Sequence, residues 1–129
     1  MTRQAKVPYV PTLLLTTIGR HSGELRSSAL FYIRHDGTYV VVGSLGGAPR
    51  DPAWVGNLRA NPQAWVWVNR RRVPVRAEFL SDEERVRIWA LVTEAWPAYE
   101  TYQERARPRE IPIIRLRPIA RRGPPAADS

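Results

Sequence analysis

The sequence contains no cysteine, which excludes disulfide bonds, thiolate nucleophiles and Cys-ligated metal centres. His21 and His35 are its only histidines, so a centre with several His ligands is excluded as well, and we expect no bound metal. No apolar run approaches the roughly 20 residues that span a bilayer, and residues 1–10 lack the apolar core of a signal peptide. We therefore expect a cytoplasmic protein with no stable membrane anchor.

The 129 residues suit one domain, and their charge balance is strongly basic. Lys and Arg number 20 against 12 Asp and Glu, a net charge of +8, and Lys6 is the only lysine. Guanidinium groups match phosphate and carboxylate, so the balance points to an anionic ligand, a nucleic acid or an acidic lipid. The arginines are spread along the whole chain and the aromatic residues fit core positions, so we expect no nucleic-acid partner.

Short runs of apolar and β-branched residues predict about six strands. Asp36-Gly37 predicts a hairpin turn, and Pro74 predicts an edge or bulge position in its strand. Consecutive strands are joined by turns, which favours a mainly β protein with α-helices outside an antiparallel barrel. The predicted strands are Thr12–Thr17, Leu25–Arg34, Thr38–Gly43, Ala64–Val68, Arg71–Phe79 and Ile111–Arg117.

Two to three helices complete the prediction. Asp51 is the expected N-cap of a helix over Pro52–Ala60. Ser81 and Glu84 form an S-x-x-E capping box at the start of a helix over Asp82–Trp96. Another helical turn is expected over Tyr99–Arg105. The spacing of the second helix predicts a buried side formed by Val86, Trp89, Ala90 and Thr93.

Three segments could carry chemistry, each with a simpler structural interpretation. Gly19–Ser28 offers two arginines, a histidine and three hydroxyls around two glycines, which suits an anion but also a solvated turn. Ser44–Pro49 is a glycine-rich loop before a helix, where backbone amides could meet a ligand or simply connect two elements. Trp96, Tyr99 and Tyr102 could line an acceptor pocket or belong to the core.

The segments LLLTTIGRHSGELRSSALFY, VVVGSLGGAPRDPAWVGNLRANP and DEERVRIWALVTEAWPAYETYQERARPREIPIIRLRP resemble, in this order, the deazaflavin-dependent nitroreductase family. The resemblance implies a split β-barrel of the FMN-binding type over residues 12–118, with a lead-in at 1–11 and a disordered tail at 119–129. It also implies coenzyme F420, a deazaflavin that carries a phosphate-linked acidic tail. The expected reaction moves a hydride from reduced F420 to a quinone, a nitroaromatic or an enone.

The resemblance also implies roles for individual residues. Tyr99, Tyr102 and Trp96 would form the acceptor pocket, with a tyrosine supplying a proton or hydrogen bond. His21 and Leu45 stand where the family often has lysine, Ala29 replaces a frequent proline, and Trp96 replaces a frequent tyrosine. The residues expected to bind the cofactor are Arg20, His21, Ser22 and Arg26 at an anion-binding turn, Ser27, Ser28 and Ala29 beneath the ring, Ser44, Leu45, Gly46, Gly47, Ala48 and Pro49 in the glycine loop, and Trp54 and Asn57 on the following helix.

Two alternatives remain open from the sequence. The same barrel could bind FMN or a tetrapyrrole, and the basic charge could serve a nucleic acid. The protein is expected to be a monomer or a homodimer.

Overall fold

A computed structural model describes residues 11–119, and it contains seven strands and three α-helices within that range. Residues 1–10 and 120–129 lie outside the described range, so the expected lead-in and disordered tail stay predictions. The strands are β1 Thr12–Ile18, β2 Leu25–Phe31, β3 Ile33–His35, β4 Thr38–Val42, β5 Gln63–Val68, β6 Arg71–Phe79 and β7 Ile113–Pro118. The helices are α1 Ala53–Ala60, α2 Asp82–Ala95 and α3 Ala98–Ala106.

All seven strands form one antiparallel sheet in the order β2-β1-β5-β6-β7-β4-β3. The two edge strands, β2 and β3, are separated along the chain by Tyr32 alone. The sheet must therefore curl until its edges approach each other, which gives a split β-barrel. The predicted fold class is confirmed, and the hairpin at Asp36-Gly37 joins β3 to β4.

The expectation of one strand over Leu25–Arg34 was wrong, because the chain breaks at Tyr32 to leave one sheet edge for the other. The Tyr32 amide donates to the Pro11 carbonyl at 3.1 Å. Its buried ring packs edge-on against Tyr39, 5.5 Å between centroids. Packing of this ring in the core thus ends β2 at Phe31, although the sequence pattern predicted a strand that continues to Arg34.

Alternation along the strands builds the main core inside the curled sheet. On β6, the alternate residues Val73, Val75, Ala77 and Phe79 pack in or against this core. Pro74 does not lie on an edge strand, since β6 has β5 and β7 as neighbours. The proline is tolerated because its registered partner is on β5 alone, whereas pairing with β7 begins at Val75.

The start of α1 differs from the predicted cap. Pro52, not Asp51, is the N-cap residue, and no side chain among the described residues caps the helix. Asp51 instead accepts a hydrogen bond from Arg109 at 2.7 Å. The ion pair thus takes the carboxylate away from the helix amides.

The second helix begins after Ser81 as predicted, but the Ser81 side chain makes no capping hydrogen bond. Glu84, the other half of the expected capping box, contacts Arg115 on β7 at 2.5 Å. The predicted buried side was also wrong, since Val86 is 71% exposed while Ile88 and Val92 are buried. Packing of α2 against β7 and α3 selects the face of Ile88.

The helical turn expected near Tyr99 is a complete helix, α3, that packs on the glycine loop after β4. With α2, it covers a second core cluster that includes Val42, Val92, Tyr99 and Ile113. This arrangement brings the Tyr99 ring to the open edge of the barrel. No helix in residues 11–119 is long and apolar enough to cross a membrane.

Candidate functional site

An open groove of about 360 Å³ runs along the free edge of β2, a volume within the usual range for small-molecule sites. It faces β4, the glycine loop, the start of α1 and α3. Its lining includes predicted site residues from four segments: Ala29, Ser44, Leu45, Gly46, Trp54 and Tyr99. The sequence did not identify the other lining residues, Thr12, Leu30, Phe31, Val42 and Pro52.

Backbone groups of β2 contribute to the groove because this strand has a neighbour on one side only. Tyr32 points its amide at Pro11 beside β1, so the alternation of an antiparallel pair turns Leu30 toward β1 as well. Ala29 and Phe31 therefore direct their N–H and C=O groups toward the groove. These are the donors and acceptors that a flat heterocycle with carbonyl and N–H groups requires.

The glycine loop contains a single 3-10 turn, Leu45–Gly47, with three successive left-handed residues. Gly47 has φ 88°, and a Cβ there would lie 2.8 Å from the carbonyl oxygen of Tyr102. Glycine at this position therefore lets the loop pack directly on α3. Gly46 lines the groove, and no atom lies within 4 Å of the place where its Cβ would be.

Arg109 holds this loop from beneath, and the sequence did not single it out. Its guanidinium donates to the carbonyls of Gly43, Ser44 and Ala48 at 2.7–3.2 Å and pairs with Asp51. The side chain is only 13% exposed. All these partners lie about 60 residues earlier in the chain, so no local pattern could have revealed the role.

Arg20 connects the turn between β1 and β2 to the wall of the groove. Its guanidinium donates to the Ala53 carbonyl at 3.0 Å and to Asn57 Oδ1 at 2.8 Å. Asn57 is buried and donates to Thr17 Oγ1 at 3.0 Å. Asn57 therefore positions Arg20 at the first turn of α1, next to Trp54, with no polar atom of its own directed at the groove.

The remaining residues of this turn are exposed. Arg26 pairs with Glu24 at 3.4 Å, and its registered partner is Thr17, which places it on the same face as the Asn57 contact. Ser22 Oγ accepts from the Glu24 amide at 3.0 Å, while His21 is exposed to solvent. Arg20 at the uncapped start of α1 and Arg26 on the adjoining strand β2 form a positive region, with Glu24 and Asp51 as its neighbouring carboxylates.

The sheet face beneath the groove orients the three residues that follow Arg26. Ser27 shares a hydrogen bond with Thr16 at 2.8 Å across the outer face of the sheet. Ser28 is registered with buried Leu15 and faces inward. Among the residues predicted to lie beneath a ring, only Ala29 lines the groove. In the glycine loop, the Ala48 carbonyl accepts hydrogen bonds from Arg109. Pro49 is exposed and is not among the residues that line the groove.

Aromatic residues close the other end of the groove. Tyr99 lines it, and burial, with a smaller contribution from Tyr102, raises the pKa of the Tyr99 phenol to about 12. Tyr102 packs edge-on behind Tyr99 at 6.1 Å between centroids and does not line the groove. Trp96 follows the last residue of α2. Its ring centroid lies 5.4 Å from that of Phe31, and both residues line a crevice together with Tyr99.

Comparison with known proteins gives a consistent family. A family model described as F420H(2)-dependent quinone reductase matches residues 2–118. The chain is 38% identical over 109 residues to the F420H(2)-dependent quinone reductase Rv1261c of Mycobacterium tuberculosis, covering 82% of this chain and 72% of the relative.

Solved structures agree with this match. A structure described as an F420-H2 dependent reductase (FDR-A) superposes with a TM-score of 0.75 at 37% identity, covering 82% of this chain and 93% of that one. Another structure, described as a domain-swapped dimer, has the same TM-score and identity, and the match covers 82% of this chain and 79% of that one. The haem storage protein HutZ of Vibrio cholerae has a TM-score of 0.64 at 17% identity over 86% of this chain and 83% of its own, which shows a shared fold alone.

Proposed function

The chain belongs to the F420H(2)-dependent quinone reductase family, and we propose that the groove beside β2 is where it binds reduced F420 and a quinone. The protein is an F420H2-dependent oxidoreductase, as the resemblance of its sequence implied. The observation that carries the site assignment is the groove itself. It gathers side chains from the glycine loop, α1, α3 and β2 at the open edge of the barrel.

The residues present fit a deazaflavin with an acidic side chain. In the proposed arrangement, the flat ring lies along the free edge of β2, where Ala29 and Phe31 offer backbone groups. The phosphate of the side chain lies at the positive region formed by Arg20, Arg26 and the start of α1. Asn57 acts as a positioning residue for Arg20 rather than as a cofactor ligand.

The reaction needs few groups from the protein. Reduced F420 supplies a hydride when bound, and the quinone takes up that hydride and one proton to become a hydroquinone. The groove lining is mostly apolar, which suits a flat quinone ring. Tyr99 remains a neutral phenol at physiological pH because its pKa is about 12, so it can donate a hydrogen bond to a quinone oxygen.

Two departures from the family pattern bear on the cofactor tail. His21 and Leu45 are both exposed and stand where lysine is frequent among the relatives that the sequence resembles. Without those two ammonium groups, more of the attraction for the tail rests on Arg20 and Arg26. We propose that these two arginines contribute more to F420 affinity in this protein than they do in relatives that have the lysines.

The FMN and tetrapyrrole alternatives retain only the support of the fold. Haem-related and FAD-binding neighbours share it at 16–17% identity. The family match and the 37–38% identical relatives favour F420. We also propose that the protein acts in the cytoplasm as a monomer or a homodimer.

A titration of Arg26→Ala tests the proposed site. We expect the variant to bind F420 roughly tenfold more weakly or worse, because one charge-assisted contact is worth about 1.5–3 kcal/mol. Its affinity for a deazaflavin that lacks the phosphate should be unchanged. Fluorescence titration measures both, with Arg87→Ala on the exposed side of α2 as a control that removes the same charge.

Three outcomes would contradict the proposal. Equal binding of F420 by Arg26→Ala and the parent would show that the phosphate does not bind in this region. If Arg87→Ala lowers the affinity for F420 equally, the effect of Arg26→Ala comes from the loss of net charge and not from a local contact. Tighter binding of FMN than of F420 by the parent would overturn the choice of cofactor.

A further inference from the structure

Gly56 lies in the interior of α1, where glycine is an unfavourable residue. The helix runs from Ala53 to Ala60, and the backbone at Gly56 does not have the left-handed conformation that would require glycine. Glycine loses more conformational entropy in a helix than alanine does, so alanine at this position would favour the helix. The reason for glycine here therefore lies in what packs against it.

The side chain that packs against Gly56 is Arg20. A Cβ at position 56 would lie 2.8 Å from Arg20 Cζ, 2.9 Å from Nη1 and 3.0 Å from Nε. These three atoms are the nearest neighbours of that Cβ, so the guanidinium lies directly over the helix surface at Gly56. Atoms in favourable contact stay about 3.5 Å or more apart, so any residue larger than glycine would displace Arg20.

The bonds that hold the guanidinium in this place use only one of its nitrogens. Arg20 Nη1 donates to the Ala53 carbonyl at 3.0 Å and to Asn57 Oδ1 at 2.8 Å. Nε and Nη2, which carry the other N–H groups, make no hydrogen bond within residues 11–119. Arg20 thus keeps intact the edge of its guanidinium that can bind a phosphate or carboxylate with two parallel hydrogen bonds.

The positive charge of Arg20 is also uncompensated. Both acceptors of Nη1 are neutral, and no carboxylate in the described part of the chain forms an ion pair with Arg20. Arg26, the other cation of the positive region, is partly engaged by Glu24 at 3.4 Å. Arg20 is therefore the residue of this region that offers a ligand both a fixed pair of donors and a full charge.

We propose that Gly56 is a positioning residue that keeps the Nε–Nη2 edge of Arg20 directed at an anionic group of the F420 side chain. This inference rests on the proposed function, and Gly56 itself touches no ligand. Alanine would force the guanidinium off the helix and break its bonds to Ala53 and Asn57. A fixed donor pair would become a mobile cation that loses rotamer entropy when it binds.

Gly56→Ala should change binding and stability in different directions. We expect F420 to bind roughly tenfold more weakly, because one positioned charge-assisted contact is lost. Affinity for a deazaflavin without the phosphate and acidic tail should be unchanged. The urea midpoint should equal or exceed that of the parent, since alanine favours the helix. Fluorescence titration and urea unfolding measure these quantities.

Ala60→Gly, at the exposed end of the same helix, is the matched control. It exchanges the same two residue types in the opposite sense and lies away from Arg20. The control should lower the urea midpoint slightly and leave F420 affinity as in the parent. If Ala60→Gly weakens F420 binding as much as Gly56→Ala does, the helix and not the Arg20 contact controls affinity, and the inference is overturned.

A double-mutant cycle with Arg20→Ala isolates the contact. In the Arg20→Ala background, Gly56→Ala should change F420 affinity by less than about twofold, because no guanidinium remains to be displaced. If Gly56→Ala alone does not fold, the double variant should recover folding, since the three atoms nearest to the new methyl group are gone. A double variant that stays unfolded would overturn the inference.

The remaining outcomes separate this inference from the proposed function. If the parent binds F420 and Arg20→Ala weakens that binding while Gly56→Ala does not, the function stands and the role of Gly56 is overturned. An equal loss with and without Arg20 would overturn it too, and so would weaker binding of both deazaflavins together with a lower urea midpoint. If the parent does not bind F420, the proposed function fails and the inference fails with it.

Discussion

Tyr99 and Tyr102 were equivalent candidates in the sequence, and burial separates them. Tyr99 lines the groove, whereas Tyr102 stands behind it and contacts the Tyr99 ring edge-on. Burial raises the Tyr99 pKa because it penalises the charged phenolate more than the neutral phenol. The residue is thus suited to donating a hydrogen bond at neutral pH and unsuited to losing a proton there.

Tyr99→Phe should lower kcat for quinone reduction by roughly tenfold to a hundredfold, since it removes one donor to the developing oxygen charge. Tyr102→Phe should have a smaller effect, with F420 affinity nearly intact. With a pKa of about 12, Tyr99 stays protonated throughout the neutral and mildly alkaline range and should add no ionisation to the rate profile there. Steady-state kinetics against pH, with Tyr99→Phe beside the parent, measure both effects. An alkaline loss of activity near neutral pH that disappears in Tyr99→Phe would contradict this assignment.

Among the elements, the glycine loop depends on a residue far away in sequence. Ser44–Pro49 was recognisable from its glycines, and Gly47 has the positive φ and close contact that explain them. The loop's carbonyls are held by Arg109, which follows α3. A partly buried guanidinium with this many acceptors is matched in geometry as well as in charge.

Arg109→Lys should destabilise the fold by roughly 2–4 kcal/mol and weaken F420 binding, because an ammonium group cannot reproduce the fork that reaches the loop carbonyls and Asp51. Urea unfolding and fluorescence titration test the two effects. Arg105→Ala is the comparison, since exposed Arg105 makes one long contact of 3.5 Å with the Gly46 carbonyl and should change little. Similar results for the two variants would show that Arg109 does not shape the loop.

Local signals predicted most elements, and tertiary packing decided the details that they missed. Strands β1, β5 and β6 were predicted from short runs of apolar and β-branched residues, and the turn at Asp36-Gly37 was predicted from its residue types. The break at Tyr32 depends on its hydrogen bond to Pro11, and the inward face of α2 depends on contact with β7; both partners lie far away in the sequence. Likewise, the resemblance identified Asn57, whereas only its burial and its bond to Arg20 reveal a positioning role.

At the scale of the whole molecule, a network of four charged side chains joins β6, β7 and α2. Arg117 forms two hydrogen bonds with Glu78 at 2.8 and 3.1 Å, and buried Arg115 bridges Glu78 and Glu84. The network fastens the helical layer to the sheet on a side that contributes no residue to the groove lining. It should therefore influence stability without altering the site.

Glu78→Gln tests this network through its pH dependence. The hydrogen bond from Arg117, opposed in part by burial, lowers the Glu78 pKa below its ordinary 4.5. A carboxylate with a lowered folded-state pKa stabilises the fold above the unfolded-state pKa, and that contribution is lost as pH falls through the folded-state pKa. The variant should thus unfold more easily than the parent at about pH 7, by no more than about 1 kcal/mol because the pair is half-exposed, and the difference should shrink toward about pH 3.

Urea unfolding at both pH values measures this difference in the free energy of unfolding, with exposed Glu83→Gln at the start of α2 as the control. A difference that stays constant with pH would contradict the assignment to Glu78 ionisation, and unchanged F420 affinity in the variant would confirm that the network acts on the fold alone.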